Sequence, residues 1–352
     1  MTSHARRIAA SGLAGVAATA LMAVSAGATP SSSGSAEDSD WAIYEVGTND
    51  VLLTSDDVAE TRSGAAPSAT TASDPASAGT GEPIIGAQTV PAPSWITNWQ
   101  ASTETIEASA PSLVDGQETT NLSGMWAPRA VVGDDDRVAA DVTEPPYSQV
   151  VAIEATNGTD FWTCTGYLYG PDDVATAGHC IDASTDTPLV EGRIYLQLDS
   201  ASPGDPVEIC TIDSYAVNGR WLDDRDRGWD YAALQVGCHA GESLGSFGTI
   251  NNEDIDGEYE ATGYPGTPPE GTYGTQWTAT GPFVNERSRI LETNVDFTSG
   301  QSGGPVWTVN PEAGNAAVGI ISFEFENPED YANGAVHIGT GAFGDLMDWK
   351  AA

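Results

Sequence analysis

Short apolar runs separated by turn residues constrain the fold of this chain more than any other feature. From about residue 147, runs of β-branched, aromatic and aliphatic residues are broken by Gly, Pro, Asn and Asp at fairly regular intervals. This pattern is typical of an antiparallel sandwich or barrel, and not of alternating strands and helices. The runs are SQVVAIEA, WTCTGYLYG, DVATAGHC, RIYLQLD, EICTIDSYAV, DYAALQVG, TYGTQWTATG, GPVWTV, AAVGIISFEF and GAVHIG. A short helix is predicted only at the extreme end, over Phe343 to Trp349.

The N-terminus has the pattern of an export signal. Basic residues lie in Met1 to Arg7, an apolar segment runs from Ile8 to Val24, and Ala26-Gly27-Ala28 follows. The alternative is a membrane anchor, but the apolar segment is shorter than a membrane span and rich in Ala and Gly. We therefore expect residues 1–28 to be a signal peptide, and the mature protein to be secreted, with no membrane partner.

Residues 29–130 are predicted to be a removable leader. Two of its segments, residues 29–40 and 61–83, are rich in Ser, Ala, Thr, Gly and Pro and cannot bury enough apolar surface to order themselves. Near its end, Ala127-Pro128-Arg129-Ala130 offers a basic residue for processing before VVGDDDR. Residues 131–352 then form the functional domain.

Cysteine usage agrees with an exported protein. The chain contains Cys164, Cys180, Cys210 and Cys238. An even count suggests two disulfides with three possible connectivities, and the order along the chain favours the local pairs Cys164–Cys180 and Cys210–Cys238. A zinc site is the competing hypothesis, because His179 and His239 each adjoin a cysteine. The spacings of zinc modules are absent, so we expect no metal and no cofactor.

The chain is strongly acidic. Its formal charge is −39, and from Val131 onward it has 8 Lys+Arg against 37 Asp+Glu. Phosphate repels such a surface, so a nucleic-acid partner is not expected. The acidic surface has two explanations, solubility and attraction of basic substrates, and we favour solubility.

Two residues suggest acid–base chemistry. His179 follows the apolar run DVATA, where Gly178 frees the backbone and Cys180 can fix the turn. A histidine that acts as a general base needs a carboxylate to hold its tautomer. Asp230 is the candidate, because it directly precedes an apolar run and a carboxylate buried there must be hydrogen-bonded.

Ser302, in VDFTSGQSGGPVW, is the candidate nucleophile. The backbone N–H groups of Gly300 and Ser302 are candidates for an oxyanion hole. The same residues also satisfy G-x-S-x-G, the nucleophile elbow of α/β-hydrolases, which would require partners such as Asp330 and His337. The elbow serine begins a helix, whereas Gly303, Gly304 and Pro305 follow here, so the elbow is disfavoured.

The order His179, Asp230, Ser302 matches the chymotrypsin-type triad. TAGHC, WDYAAL, GQSGGPVW and GIIS resemble chymotrypsin-fold serine proteases, and VVGDDDR…CTGYLYGPDDVATAGHC with NGAVHIG resembles their bacterial glutamyl-endopeptidase-like branch. The similarity covers roughly residues 131–349. It implies an all-β fold of two six-stranded antiparallel β-barrels with a short C-terminal helix, and an active site in the cleft between the barrels.

The resemblance also implies roles for individual residues. His179 becomes the general base, Asp230 its orienting partner and Ser302 the nucleophile, while Gly300 and Ser302 supply the oxyanion N–H groups. Cys164–Cys180 corresponds to the bridge beside the catalytic histidine. Ser322 and Phe323 fall on the strand that pairs with substrate backbone.

The chain departs from patterns within the family at Gln301 and Ile321, and it matches trypsin at Asp296. Gln301 replaces the aspartate whose ion pair with a new N-terminus activates trypsin-like zymogens. Ile321 replaces the pocket histidine of glutamate-specific members, which disfavours glutamate preference. Asp296 takes the place of the acidic residue behind trypsin's basic preference, with Phe297 beside it and Glu324 near the pocket mouth. The choice between basic and apolar preference stays open.

The sequence thus predicts a secreted, monomeric serine endopeptidase that acts on proteins or peptides through an acyl-enzyme. Two alternatives remain. One is an inactive chymotrypsin-fold binding protein, which the intact triad disfavours. The other is a secreted esterase that uses Ser302, Asp330 and His337.

Overall fold

The protein is described here by a computed structural model of the 352-residue chain. It describes residues 40–63, 88–90, 112–115, 118–121, 131–158, 161–181, 189–199, 207–251, 256–266, 268–270, 274–287, 289–310, 314–324 and 333–352. The expected signal peptide, most of the expected leader and the candidate processing site lie outside these residues.

The described part of the leader contains several short elements. They are β1 (Trp41–Glu45), β2 (Val51–Thr54), α1 (Ser55–Ser63), β3 (Gln88–Val90), β4 (Ser112–Asp115) and β5 (Glu118–Asn121). β1 and β2 form an antiparallel hairpin, and β4 pairs with β5 in a separate two-stranded sheet. After the leader comes β6 (Val138–Ala139).

The first barrel follows. Its strands are β7 (Val150–Thr156), β8 (Phe161–Leu168), β9 (Asp173–Thr176), β10 (Glu191–Leu196), β11 (Val207–Asn218) and β12 (Ala232–Val236). They pair antiparallel in the order β10-β7-β8-β9-β12-β11, and β10 also pairs with β11, which closes the barrel. The interior is apolar, with Val150, Ile153, Tyr167 and Leu168 fully buried.

The short helix α2 (Gly219–Asp224) connects β11 to β12 within the first barrel. The short helix α3 (Ala240–Leu244) and the strand β13 (Gly248–Thr249) link the two barrels. Asn218 caps α2, since its side chain accepts a hydrogen bond from the N–H of Arg220 at 2.9 Å. The sequence predicted only the C-terminal helix, because α1, α2 and α3 are too short and polar to show an apolar period.

The second barrel is built the same way. Its strands are β14 (Glu258–Gly263), β15 (Trp277–Arg287), β16 (Ile290–Thr293), β17 (Pro305–Asn310), β18 (Gly314–Glu324) and β19 (Asn333–His337). They pair in the order β18-β17-β14-β15-β16-β19, and β18 also pairs with β19, which closes the barrel. A separate buried cluster that includes Tyr259, Phe283, Leu291 and Val306 fills it.

The chain ends in α4 (Thr340–Ala351), which contains the predicted helical segment. The all-β fold of two six-stranded barrels with a short C-terminal helix is therefore confirmed. β14 and β16 were not among the predicted runs, because β14 carries two glutamates in six residues and β16 has only four residues. No helix in the described ranges is long and apolar enough to cross a membrane.

The leader hairpin extends the first barrel's sheet. β1 pairs antiparallel with the end of β11, from Trp41 opposite Asn218 to Glu45 opposite Ser214. Trp41 is buried and meets Trp349 of α4 edge to face, with ring centroids 6.1 Å apart. WAIYEV therefore forms ordered structure against the folded domain.

Candidate active site

His179 lies on a rigid turn of the first barrel. β9 ends at Thr176, and Gly178–Cys180 form one turn of 3₁₀ helix. A disulfide ties Cys180 to Cys164 of β8. The indole Nε1–H of Trp162 donates to the Cys180 carbonyl at 2.7 Å, so the turn is held from two directions.

Asp230 holds His179 through two hydrogen bonds. Its Oδ2 lies 2.7 Å from Nδ1 of His179, and its Oδ1 accepts the backbone N–H of His179 at 2.7 Å. The aspartate is 3% exposed and lies between the 3₁₀ turn Arg227–Trp229 and β12. The contact fixes both the position of the turn and the orientation of the imidazole ring.

Ser322 of β18 supplies another partner to this aspartate. Its Oγ donates a hydrogen bond to Oδ2 of Asp230, the oxygen that also faces the histidine. Sequence reasoning placed Ser322 on the substrate strand and did not link it to Asp230. The two residues are 92 positions apart, so no local pattern could reveal the contact.

Ser302 lies on a tight loop pressed against the first barrel. It is 6% exposed, and the glycines around it have positive φ angles, 94° at Gly300 and 85° at Gly303. A Cβ on Gly303 would lie 2.1 Å from the carbonyl oxygen of Thr165 and from Oγ1 of Thr176. Only glycine allows this approach, which brings the serine loop against the strand that leads to His179.

Thr165 fixes the backbone on both sides of Gln301. Its N–H donates to the carbonyl of Ser302 at 2.8 Å, and its Oγ1 donates to the carbonyl of Gly300 at 2.8 Å. Sequence reasoning did not single it out. In the sequence, only its position next to Cys164 could have indicated this structural role.

The histidine of the esterase alternative contacts an acidic residue of the second barrel. His337 Nδ1 lies 2.7 Å from Oε1 of Glu286, and Asp330 lies outside the described residues. Ser302 is followed by strand β17, whereas a nucleophile elbow begins a helix. The two-barrel fold also differs from the alternating strands and helices of α/β-hydrolases.

Asp296, an expected substrate-binding residue, faces the start of the folded domain. Oδ1 accepts the N–H of Val132 at 2.7 Å, and Oδ2 accepts the N–H of Asp136 at 3.3 Å. Burial raises the pKa of this carboxyl, and the two backbone hydrogen bonds oppose the rise. Two backbone donors thus engage a carboxylate that is only 2% exposed.

The other expected substrate-binding residues lie on the segment before Ser302 and on β18. Phe297 and Ile321 are buried in the apolar cluster of the second barrel. The Ile321 backbone pairs with the glycines that follow Ser302. The ring of Phe323 lies under the guanidinium of Arg227, at 4.8 Å from carbon to centroid. Glu324 ends β18.

Both disulfides have the pairing expected from the order of the cysteines. Cys164–Cys180 adjoins His179, and Cys210–Cys238 links β11 to the segment that follows β12. Within the described ranges, Cys164, His179 and Cys180 form the one group whose ligand atoms lie close enough for a metal ion. Because both cysteines are oxidised to a disulfide, the group offers no thiolate ligand.

Comparison with known proteins gives consistent matches. Residues 164–320 match the family model of the trypsin-like peptidase domain. A glutamyl endopeptidase of Bacillus licheniformis is 29% identical over 229 residues, which cover 63% of this chain and 69% of that protein. An extracellular metalloprotease of Bacillus subtilis is 27% identical over 205 residues, 55% of this chain and 62% of that protein.

A solved structure of a Glu endopeptidase has the same fold. It superposes with a TM-score of 0.52 at 22% identity, covering 63% of this chain and all of that one. The domain match and the glutamyl endopeptidase relative agree with the two closed barrels, and the substrates of peptidases are proteins or peptides. Residues 164–320 match the trypsin-like peptidase domain, the chain is similar to glutamyl endopeptidases, and these matches support a serine endopeptidase.

Proposed function

We propose that His179, Asp230 and Ser302 form the catalytic triad of this endopeptidase. The observation that carries the proposal is the pair of 2.7 Å contacts between Asp230 and His179, on a turn against which the Ser302 loop packs. A buried carboxylate bound to Nδ1 leaves Nε2 as the basic nitrogen of the ring.

The reaction follows from these roles. Ser302 Oγ attacks the substrate carbonyl carbon while its proton passes to Nε2 of His179. Asp230 stabilises the imidazolium that forms, and the N–H groups of Gly300 and Ser302 stabilise the developing oxyanion. His179 then donates the proton to the leaving amine, which produces an acyl-enzyme. Water, activated by the same base, hydrolyses it.

We also propose that the enzyme is made as an exported precursor and acts as a monomer. Residues 1–28 have the pattern of a signal peptide, and residues 29–130 form a leader removed near Ala127 to Ala130. The name of the Bacillus subtilis relative places that protein outside the cell. Because β1 pairs with β11, the leader is more than a spacer before the enzyme.

We propose further that the primary specificity pocket prefers an uncharged side chain. Ile321 stands where glutamate-specific members have a histidine, and it is packed in an apolar cluster with Phe297. Asp296 is already hydrogen-bonded to Val132 and Asp136, so its carboxylate is a poor receptor for lysine or arginine.

The triad is tested with a sulfonyl fluoride. Processed protein that hydrolyses casein is expected to lose activity on labelling, with the adduct on Ser302 in peptide mass spectrometry. Ser302→Ala is expected to remove both label and activity. A folded, active sample with no label on Ser302 would refute the assignment.

The pocket is tested with a mixed peptide library. We expect cleavage after uncharged residues in preference to Glu, Lys and Arg. Asp296→Asn is expected to lower cleavage of every peptide by a similar factor, because it weakens contacts to the residue 132–136 backbone. A strong wild-type preference for Lys or Arg that Asp296→Asn abolishes would show that Asp296 binds substrate.

A further inference from the structure

A buried arginine lies behind the nucleophile loop. The side chain of Arg137 is 2% exposed, and its Nη1 donates to Oε1 of Gln301 at 3.2 Å and to Oγ1 of Thr298 at 2.8 Å. Gln301 is fully buried and lies between the two residues proposed to form the oxyanion hole. The guanidinium therefore reaches the peptide segment whose N–H groups must be aimed at the substrate.

Hydrogen bonds within the nucleophile loop also involve Gln301. Oε1 of Gln301 also accepts the N–H of Thr298 at 3.0 Å, and the N–H of Gln301 donates to the carbonyl of Thr298 at 3.0 Å. Arg137 contacts the side chains of both Thr298 and Gln301. It therefore fixes the side chain of Gln301 directly and its backbone through Thr298. Rotation of this residue would turn the N–H groups of Gly300 and Ser302.

The charge of Arg137 is balanced locally. Asp135 binds the guanidinium in bidentate fashion, with Nε–Oδ1 at 3.0 Å and Nη2–Oδ2 at 2.8 Å. This contact holds the pKa of the Asp135 carboxyl below its usual value. The ion pair lies within one short segment, so the arginine can be buried and still donate to a neutral glutamine.

Residues 132–137, here called the strap, contact the loop at two places. Asp296 at the start of the loop accepts the N–H groups of Val132 and Asp136, and Arg137 binds Thr298 and Gln301 near its end. The strap thus spans residues 296–301. All these contacts exist in the chain that still carries the leader.

We propose that Arg137 is a positioning residue that orders the oxyanion hole through Gln301. In trypsin-like zymogens the residue before the nucleophile is an aspartate that pairs with a new N-terminal ammonium. Here that residue is neutral, and a guanidinium from the strap provides the donor. This inference rests on the proposed roles of Ser302 and Gly300.

The test separates positioning from stability. Arg137→Met and Gln301→Met, prepared as processed enzyme, are each expected to lower kcat about 100-fold with KM within about threefold, since misplaced oxyanion donors cost about this factor. Affinity for a peptide boronic acid, which mimics the tetrahedral intermediate, falls in the same proportion. The double variant is expected to lose about 100-fold in total, because both changes break one contact. Arg193→Met, which removes an exposed ion pair to Glu191, is the control and keeps wild-type kcat.

The outcomes are distinguishable. Rates are expressed per active site titrated by burst kinetics, and circular dichroism checks folding. If Arg137→Met does not fold, Arg137→Lys takes its place, since lysine keeps the positive charge but lacks the several N–H donors of the guanidinium. An intermediate loss of kcat is then expected. Wild-type kcat in a folded Arg137 variant, or multiplicative losses in the double variant, would overturn this inference and leave the triad standing. Activity in Ser302→Ala would overturn the proposed function itself.

Discussion

Asp230 binds His179 at two points, the ring nitrogen Nδ1 and the backbone N–H, each at 2.7 Å. One carboxylate therefore controls both the tautomer of the ring and the place of the turn that carries it. In the proposed reaction, this double contact keeps the imidazole in position while Nε2 accepts and donates the proton.

Asp230→Asn is expected to lower kcat by about 10⁴ with little change in fold, because an amide at this position favours the wrong histidine tautomer. Steady-state kinetics on a peptide substrate measures the loss, and circular dichroism checks the fold. The exposed Asp224→Asn is the control. A loss below about tenfold would contradict the role given to Asp230.

Ser322→Ala is expected to lower kcat about tenfold with KM nearly unchanged. The variant removes one donor to the Asp230 carboxylate, and a hydrogen bond to a charged group contributes about 1.5–3 kcal/mol, part of which the remaining donors to Asp230 recover. Ser322→Thr, which keeps the hydroxyl, is the matched variant and is expected to retain most of the activity. An equal loss in both variants would indicate a packing effect instead.

Asp173→Asn is expected to stabilise the protein at neutral pH. Burial, together with the neighbouring charge of Asp172, raises the pKa of Asp173 to about 6, although Lys350 opposes the rise. Between pH 4 and 6 the folded protein therefore keeps a proton that the unfolded chain has released, so stability falls as pH rises through this window.

The gain from Asp173→Asn at pH 7.5 is expected to be about 1–2 kcal/mol, allowing for screening by solvent, and to vanish near pH 4. Urea unfolding of the Ser302→Ala background at both pH values measures it. Asp224→Asn is again the control. A gain equal at both pH values would rule out titration of Asp173 as the cause.

Trp41→Ala is expected to destabilise the precursor by about 3–5 kcal/mol, the usual cost of truncating a buried tryptophan. Trp41 is 3% exposed, whereas Val51 of the same hairpin is 55% exposed. Val51→Ala is therefore the matched control, with an expected change below about 0.5 kcal/mol. Unfolding of precursor protein carrying Ser302→Ala gives both values. Equal effects would show that the hairpin contributes little to the folded precursor.

The sequence alone determined the all-β class, because the short runs of β-branched and aromatic residues and the turn residues between them are local properties. Three short motifs in the right order extended this to two barrels and the serine peptidase family. β14 and β16 escaped detection because a barrel strand with glutamates, or with only four residues, carries little local signal.

Only the tertiary structure decided which side chains serve the candidate site. The partner of Asp230 on β18 is 92 residues away, the threonine that holds the Gly300 carbonyl is 135 away, and the backbone that engages Asp296 is 164 away. Ser, Thr and backbone N–H groups occur throughout any chain, so their types carry no signal until strand pairing brings them together. The sequence supplied the candidate reactive groups because they lie in short motifs in a fixed order, while the fold supplied the common groups that hold them in place.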